Sequence, residues 1–223
     1  MPAKNALKEY GAGGYYHLYN RGVNKRQIFK DQRDYSTFIS YLQLYLSSPD
    51  ISLRGESLKV APSRQLKNYM SEIELIAYCL MPNHFHLFVR QNTDHGIDYF
   101  MRSLATKYVR YFNSHYQRIG PLFQGPYKAV RVTNEYQFTY LTKYIHRNPL
   151  DLLPYKDSPR RLGEYKYSSY QNYLHLFSQA WIHMEDILTY FSDTNPRNSY
   201  HRFVEESEPD DITIIAPLTL DAE

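Results

Sequence analysis

Met81-Pro-Asn-His-Phe-His-Leu-Phe-Val89 sets two histidines, His84 and His86, two positions apart in an apolar run. On a strand, alternate side chains share a face, so the two imidazoles emerge side by side while Phe85, Leu87 and Val89 point the other way. Two nitrogen ligands on one strand are half of a metal site. The remaining ligands and the reacting group must come from elsewhere in the chain.

The flanking sequence supplies the fold. Tyr15 to Asn20 alternates as a first strand, with Tyr16 and Leu18 on one face and Tyr15, His17 and Tyr19 on the other. Asp34 to Leu46 repeats apolar positions at helical spacing, with Asp34 as its N-cap. Residues 48–70 read as a basic loop carrying Arg54, Lys59, Arg64 and Lys67. Ile73 to Leu80 is a second strand, joined to the histidine strand through the Pro82-Asn83 turn.

Beyond the histidines, Ile97 to Tyr116 returns to the helical period. Ile97, Phe100, Met101, Leu104, Tyr108, Tyr111 and Phe112 form one stripe, and Arg102, Lys107 and Arg110 lie opposite. Gly120 and Pro121 break that helix, and Tyr127 to Val132 has strand composition. The order βαββαβ predicts an α+β, ferredoxin-like antiparallel sheet with two helices on one face. In its usual strand order the first and third strands are central. His84 and His86 then sit on the open face of a middle strand.

An additional helix, Asn134 to Asn148, is placed to cover that face. Phe138, Leu141 and Ile145 cluster on one side of it, and Tyr140, Tyr144 and Asn148 form the adjoining row at i, i+4, i+8. A tyrosine hydroxyl can be a nucleophile when local groups help it, since its unperturbed pKa is about 10. Two histidines and the oxygen of Asn148 can hold a divalent ion with open positions for phosphate oxygens. Tyr140 is the nearest rival to Tyr144. His146 points away from Tyr144, and His17, on the neighbouring central strand, is expected to be packed or hydrogen-bonded.

Composition bounds the partner. The net charge is +3, but residues 204–223 hold seven acids and no Lys or Arg, leaving 26 basic against 16 acidic side chains, or +10, for the rest. A basic body favours nucleic acid. The 24 tyrosines suit stacking and hydrogen bonding at a wet surface. No apolar run reaches about 18 residues and MPAKNALKEY lacks a signal-peptide core, so the expected location is cytoplasmic, with no membrane partner. The single Cys79 is expected to be a small buried residue.

Five stretches occur in order: Tyr16-His-Leu-Tyr-Asn-Arg-Gly22, Tyr78-Cys-Leu-Met-Pro-Asn-His-Phe-His-Leu87, Phe123-Gln-Gly125, Tyr144-Ile-His-Arg-Asn-Pro149 and Tyr167-Ser-Ser-Tyr170. With them the chain resembles the HUH single-tyrosine transposases, IS200-like, and most closely their REP-associated tyrosine transposase branch. The resemblance covers about Tyr16 to Leu174. It implies a metal-dependent single-stranded DNA endonuclease and strand-transferase that leaves a 5′-phosphotyrosine link and a free 3′-hydroxyl at hairpin-forming DNA. By the family pattern, Tyr144 is the nucleophile, His84, His86 and Asn148 are the ligands, and the ion is Mg²⁺ or Mn²⁺. Many insertion-sequence relatives carry Gln at the Asn148 position and Arg at the Pro126 position. Arg21, Lys25 and Arg26, after the first strand, and the helix face Arg102, Lys107 and Arg110 are the candidate DNA contacts.

The expected organisation is a catalytic domain over residues 1–174, a helical extension over 175–203 and an acidic, disordered tail over 204–223. A short link into the third helix favours a monomer acting in cis over a homodimer. Two other readings stay open: a DNA- or RNA-binding regulator that kept the fold without catalysis, and a metal-dependent hydrolase that uses water and is indifferent to Tyr144.

Overall fold

Three antiparallel pairings build the sheet. Strands β1 (Tyr15–Arg21), β2 (Ile73–Met81), β3 (His84–Gln91) and β4 (Lys128–Val132) lie in the order β2-β3-β1-β4. The computed structural model describes residues 10–48, 67–156, 158–206 and Leu218. Most of the basic loop, including Arg54, Lys59 and Arg64, and most of the acidic tail lie outside the described residues. The histidine strand is central, as its sequence predicts.

Register divides the side chains between two cores. Tyr19 stands opposite His86 and Arg21 opposite His84, so these four share one face. Tyr16, Leu18, Phe85, Leu87 and Val89 line the other face. They are buried there beneath α1 (Gln32–Leu46) and α2 (Gly96–His115), which contribute Phe38, Leu42, Phe100 and Leu104.

The cap of α1 differs from the sequence expectation. Asp31, not Asp34, occupies the N-cap, and its side chain accepts from the Asp34 N–H at 3.1 Å. Asp34 is instead fully buried one turn in, accepting from Lys30 N–H and from the Tyr111 and Tyr116 hydroxyls. Two acids three positions apart both suit a helix start. The one whose carboxylate finds buried donors is drawn inside.

The turn after β1 requires glycine. A Cβ on Gly22 would fall 2.3 Å from the Arg26 carbonyl oxygen, where the chain folds back on itself. Gly22 N–H donates to Asn83 O, Gln124 N–H to Arg21 O, and Asn20 Nδ2 to Gly125 O. Asn20-Arg-Gly22 and Phe123-Gln-Gly125 are thus one unit beside the end of the histidine strand.

The open face is covered by α3 (Glu135–Arg147) and by the C-terminal elements: short helices α4 (Tyr170–Tyr173), α5 (Glu185–Leu188) and α6 (Tyr200–Glu205), with a 3-10 turn at Pro159–Glu164. Phe138, Leu141, Ile145, Tyr200 and Val204 join Cys79, Met81 and Phe88 in a second core. Helix α6 runs across the expected boundary at residue 203, and Leu218, from the acidic segment, is buried in this core. Cys79 is fully buried, and burial pushes its thiol well up.

The outer edge of β2 is closed by Tyr167 to Ser169. Leu80 N–H donates to Tyr167 O, Ser169 N–H to Tyr78 O, and Tyr78 N–H to the Ser169 hydroxyl. Two tyrosine hydroxyls donate to carbonyls of the same strand, Tyr165 to Leu80 and Tyr173 to Ile76. The surface reading of the tyrosines is corrected here. Many are buried, Tyr16 and Tyr108 among them, because a ring can fill core volume while its hydroxyl answers a backbone group.

Candidate active site

Helix α3 begins at the N-cap Asn134, whose side chain accepts from Gln137 N–H at 2.8 Å, and ends where the Asn148–Asp151 3-10 turn starts. Its apolar row, Phe138, Leu141 and Ile145, is buried against the sheet. That anchoring turns Tyr144 towards the histidines. The Tyr144 ring stands edge-on to His86, with centroids 5.3 Å apart, and to His17, 6.1 Å away. Tyr140, its rival, packs edge-on against Phe203. His146 is buried on another side of the helix, bonded to the Tyr200 hydroxyl at 2.6 Å and the Ser169 hydroxyl at 2.8 Å.

The two histidines meet Asn148 at this end of the helix. His84 Nδ1 lies 2.6 Å from Asn83 Oδ1, while Asn83 Nδ2 faces the Lys25 carbonyl. His84 Nδ1 is therefore the N–H that donates, and Nε2 carries a lone pair. That Nε2 faces Asn148 Oδ1 at 3.2 Å, and the amide cannot turn over without losing its Nδ2 bond to the Tyr144 carbonyl. Two acceptors directed at each other call for a proton or a cation between them.

His86 adds a third donor atom. It is fully buried, and its Nε2 has no hydrogen-bond partner among the described residues. Burial, then the repulsion that His84 and His17 would exert if protonated and that Arg21 exerts, hold its pKa well below the ordinary value, with Asn148 acting the other way. An uncharged ring with an unshared buried lone pair suits a metal ligand. The described residues contain no group of three His, Cys, Asp or Glu side chains arranged for a metal. The donor set that fits a divalent cation is two imidazoles and one amide oxygen, which leaves room for outside oxygens.

His17, expected from the sequence to be packed or hydrogen-bonded, is both. Its Nε2 lies 2.9 Å from His86 Nδ1 and its Nδ1 2.5 Å from the Leu218 carbonyl oxygen. Burial lowers its pKa to about 4, against a weaker upward pull from that carbonyl. Strand alternation put His17 on the histidine face, but no sequence signal pointed to Leu218.

The candidate DNA contacts fall into two groups. Arg21 shares the His84 face, and its Nε is buried without a partner among the described residues. Lys25 and Arg26 follow in the exposed turn at the same end of the sheet. Arg102, Lys107 and Arg110 ride on α2, on the opposite side of the sheet from the histidines. Lys107 there lies over the Tyr41 ring, 4.8 Å from its centre.

A family model described as Transposase IS200 like matches residues 12–148, a span that includes β1, the histidine pair, Tyr144 and Asn148. No curated protein matches the chain. Among solved structures, a REP-associated tyrosine transposase bound to a REP hairpin aligns with a TM-score of 0.50 at 13% identity, over 86% of this chain and 94% of that one. A candidate transposase from Deinococcus radiodurans R1 aligns with a TM-score of 0.36 at 18% identity, over 66% of this chain and 97% of that one. At 13% identity the first of these likenesses concerns the fold alone.

Proposed function

The chain belongs to the family of IS200-like transposases, and within that family we propose that it is a metal-dependent single-stranded DNA endonuclease and strand transferase acting on hairpin-forming DNA. The observation that carries this reading is the convergence of His84 Nε2, Asn148 Oδ1 and the unshared His86 Nε2 beside the Tyr144 ring. A hydrolase that activates water has no use for a tyrosine held there. A binding module needs none of the four.

Each residue has a stated part. His84, His86 and Asn148 would hold the ion, Mg²⁺ or Mn²⁺. Bound there, it would supply polarisation of the scissile phosphate and screening of the charge that builds on it. The Tyr144 oxygen gives up its proton to water, attacks phosphorus and forms the 5′-phosphotyrosine ester. The bond from phosphorus to the 3′ oxygen breaks, and that oxygen takes a proton from water to become a free hydroxyl. Attack by a 3′-hydroxyl on the ester reverses the step, joins a strand and releases Tyr144. One ester replaces another at each stage, so no energy source is needed.

A hairpin partner fits both the basic body and the REP hairpin held by the protein of similar fold. Arg21, Lys25 and Arg26 lie at the site's own end of the sheet and supply phosphate contacts there. Tyr144 packs against the His86 of its own chain, which supports a monomer acting in cis over a homodimer. Among the described residues no helix is long and apolar enough to cross a membrane.

The test is a labelled single-stranded hairpin incubated with the protein and Mn²⁺, then with EDTA. Metal-dependent cleavage is the expected outcome. Specific binding to a cognate hairpin without any cleavage would identify the regulator instead.

A further inference from the structure

The hydrogen bonds around His17 have only one consistent assignment of protons. The Leu218 carbonyl can only accept, so His17 Nδ1, 2.5 Å away, is the N–H. In a neutral buried ring the other nitrogen then carries the lone pair. His17 Nε2 therefore accepts from His86 Nδ1 across 2.9 Å. The two rings are inclined by only 19° with centroids 5.0 Å apart, the spacing of an in-plane N–H···N bond between imidazoles. His86 Nε2 is left with its lone pair, in agreement with its lack of a partner. The opposite assignment needs a charged His17 in the core and leaves a buried N–H on His86 unanswered.

We propose that His17 is a positioning residue: oriented by the Leu218 carbonyl, it holds His86 in the tautomer protonated at Nδ1 and so presents the Nε2 lone pair to a divalent cation. The inference rests on the metal reading given above. It adds that a residue of the acidic C-terminal segment, more than two hundred positions from His17, helps fix the electronic state of a metal ligand. Carbonyl or carboxylate partners usually perform this task directly for metal-bound histidines. Here a second imidazole relays it.

The experiment uses the full chain in two parts. In metal-free protein labelled with ¹⁵N-histidine, nitrogen shifts should report both His17 and His86 as Nδ1–H tautomers. A His86 protonated at Nε2 overturns the proposal, with or without metal binding. Calorimetric titration with Mn²⁺ then compares wild type, His17→Phe and His17→Gln. Phe should weaken binding roughly 10–100-fold, whereas Gln, whose oxygen can accept from His86 Nδ1, should stay within a few-fold of wild type. Thermal unfolding in EDTA checks that each variant is folded. Equal affinity of a folded His17→Phe protein and wild type would overturn the relay while leaving the metal site standing. Absence of Mn²⁺ binding by wild type would instead remove the metal reading, and the tautomer measurement would still decide the relay. Should His17→Phe fail to fold, the wild-type spectrum and the Gln variant carry the decision.

Discussion

Asn148 is tied to Tyr144 by one hydrogen bond, from its Nδ2 to the Tyr144 carbonyl at 2.9 Å, and that bond aims its Oδ1 at His84. The turn of helix that carries the proposed nucleophile thus also orients the proposed third ligand. An amide in this role is fixed by its own donor half, which a carboxylate lacks.

Asn148→Ala should therefore weaken Mn²⁺ binding by about tenfold or more, equivalent to at least about 1.4 kcal/mol, with little change in fold. Asn148→Asp keeps an oxygen at the same reach and adds charge. It should bind Mn²⁺ at least as well as wild type, even without the Nδ2 bond. Titration calorimetry on the three proteins gives the order, and equal binding by Ala and wild type would remove Asn148 from the ligand set.

Buried neutral histidines make the metal-free fold sensitive to acid. Burial lowers the pKa of His146 to about 3 from the ordinary 6.5. Above pH 6.5 both folded and unfolded chains carry a neutral ring, so this group adds no pH dependence. Below that, the unfolded chain takes up a proton that the folded one refuses, and stability falls by about 1.4 kcal/mol per pH unit until the folded pKa is reached. His17, at about 4, acts in the same direction. Urea unfolding in EDTA between pH 4 and 7 should show this decline, and His146→Gln should make it shallower.

Ser169 joins the edge of β2 to α3. Its hydroxyl meets the Tyr78 N–H at 2.8 Å and His146 Nε2 at 2.8 Å, all three groups being buried. Ser169→Ala leaves two buried polar groups unanswered and should cost on the order of 3 kcal/mol. The denaturant midpoint should fall accordingly while the slope stays unchanged.

Salt dependence separates the two basic groups. Arg21→Ala should weaken hairpin binding and reduce the slope of log affinity against log salt by about one. Arg110→Ala, on the far side of the sheet, should leave both nearly unchanged. A larger effect at Arg110 would move the DNA path onto α2.

Much of this was legible in the sequence because period and register are local properties. Alternation fixed the faces of β1 and β3, and i, i+4 spacing put Tyr144 and Asn148 in one row before Pro149 stopped the helix. What the sequence hid depends on which long-range partner wins. The choice between Asp31 and Asp34 was settled by the Tyr111 and Tyr116 hydroxyls. The tyrosine excess answers the β2 edge and the core as well as any wet surface. Leu218 lies far along the chain in an acidic segment with no periodicity, so nothing local predicted that its carbonyl would end at His17.

The central claim is that Tyr144 is the attacking group. Wild-type protein should be incubated with a cognate single-stranded hairpin and Mn²⁺, denatured, and digested with protease, and the nucleotide-bearing peptide sequenced by mass spectrometry. The expected product is a 5′-phosphate linked to Tyr144, with no linked peptide from Tyr144→Phe. A nucleotide on Tyr140, or cleavage that persists in Tyr144→Phe with no protein bound to DNA, would contradict it.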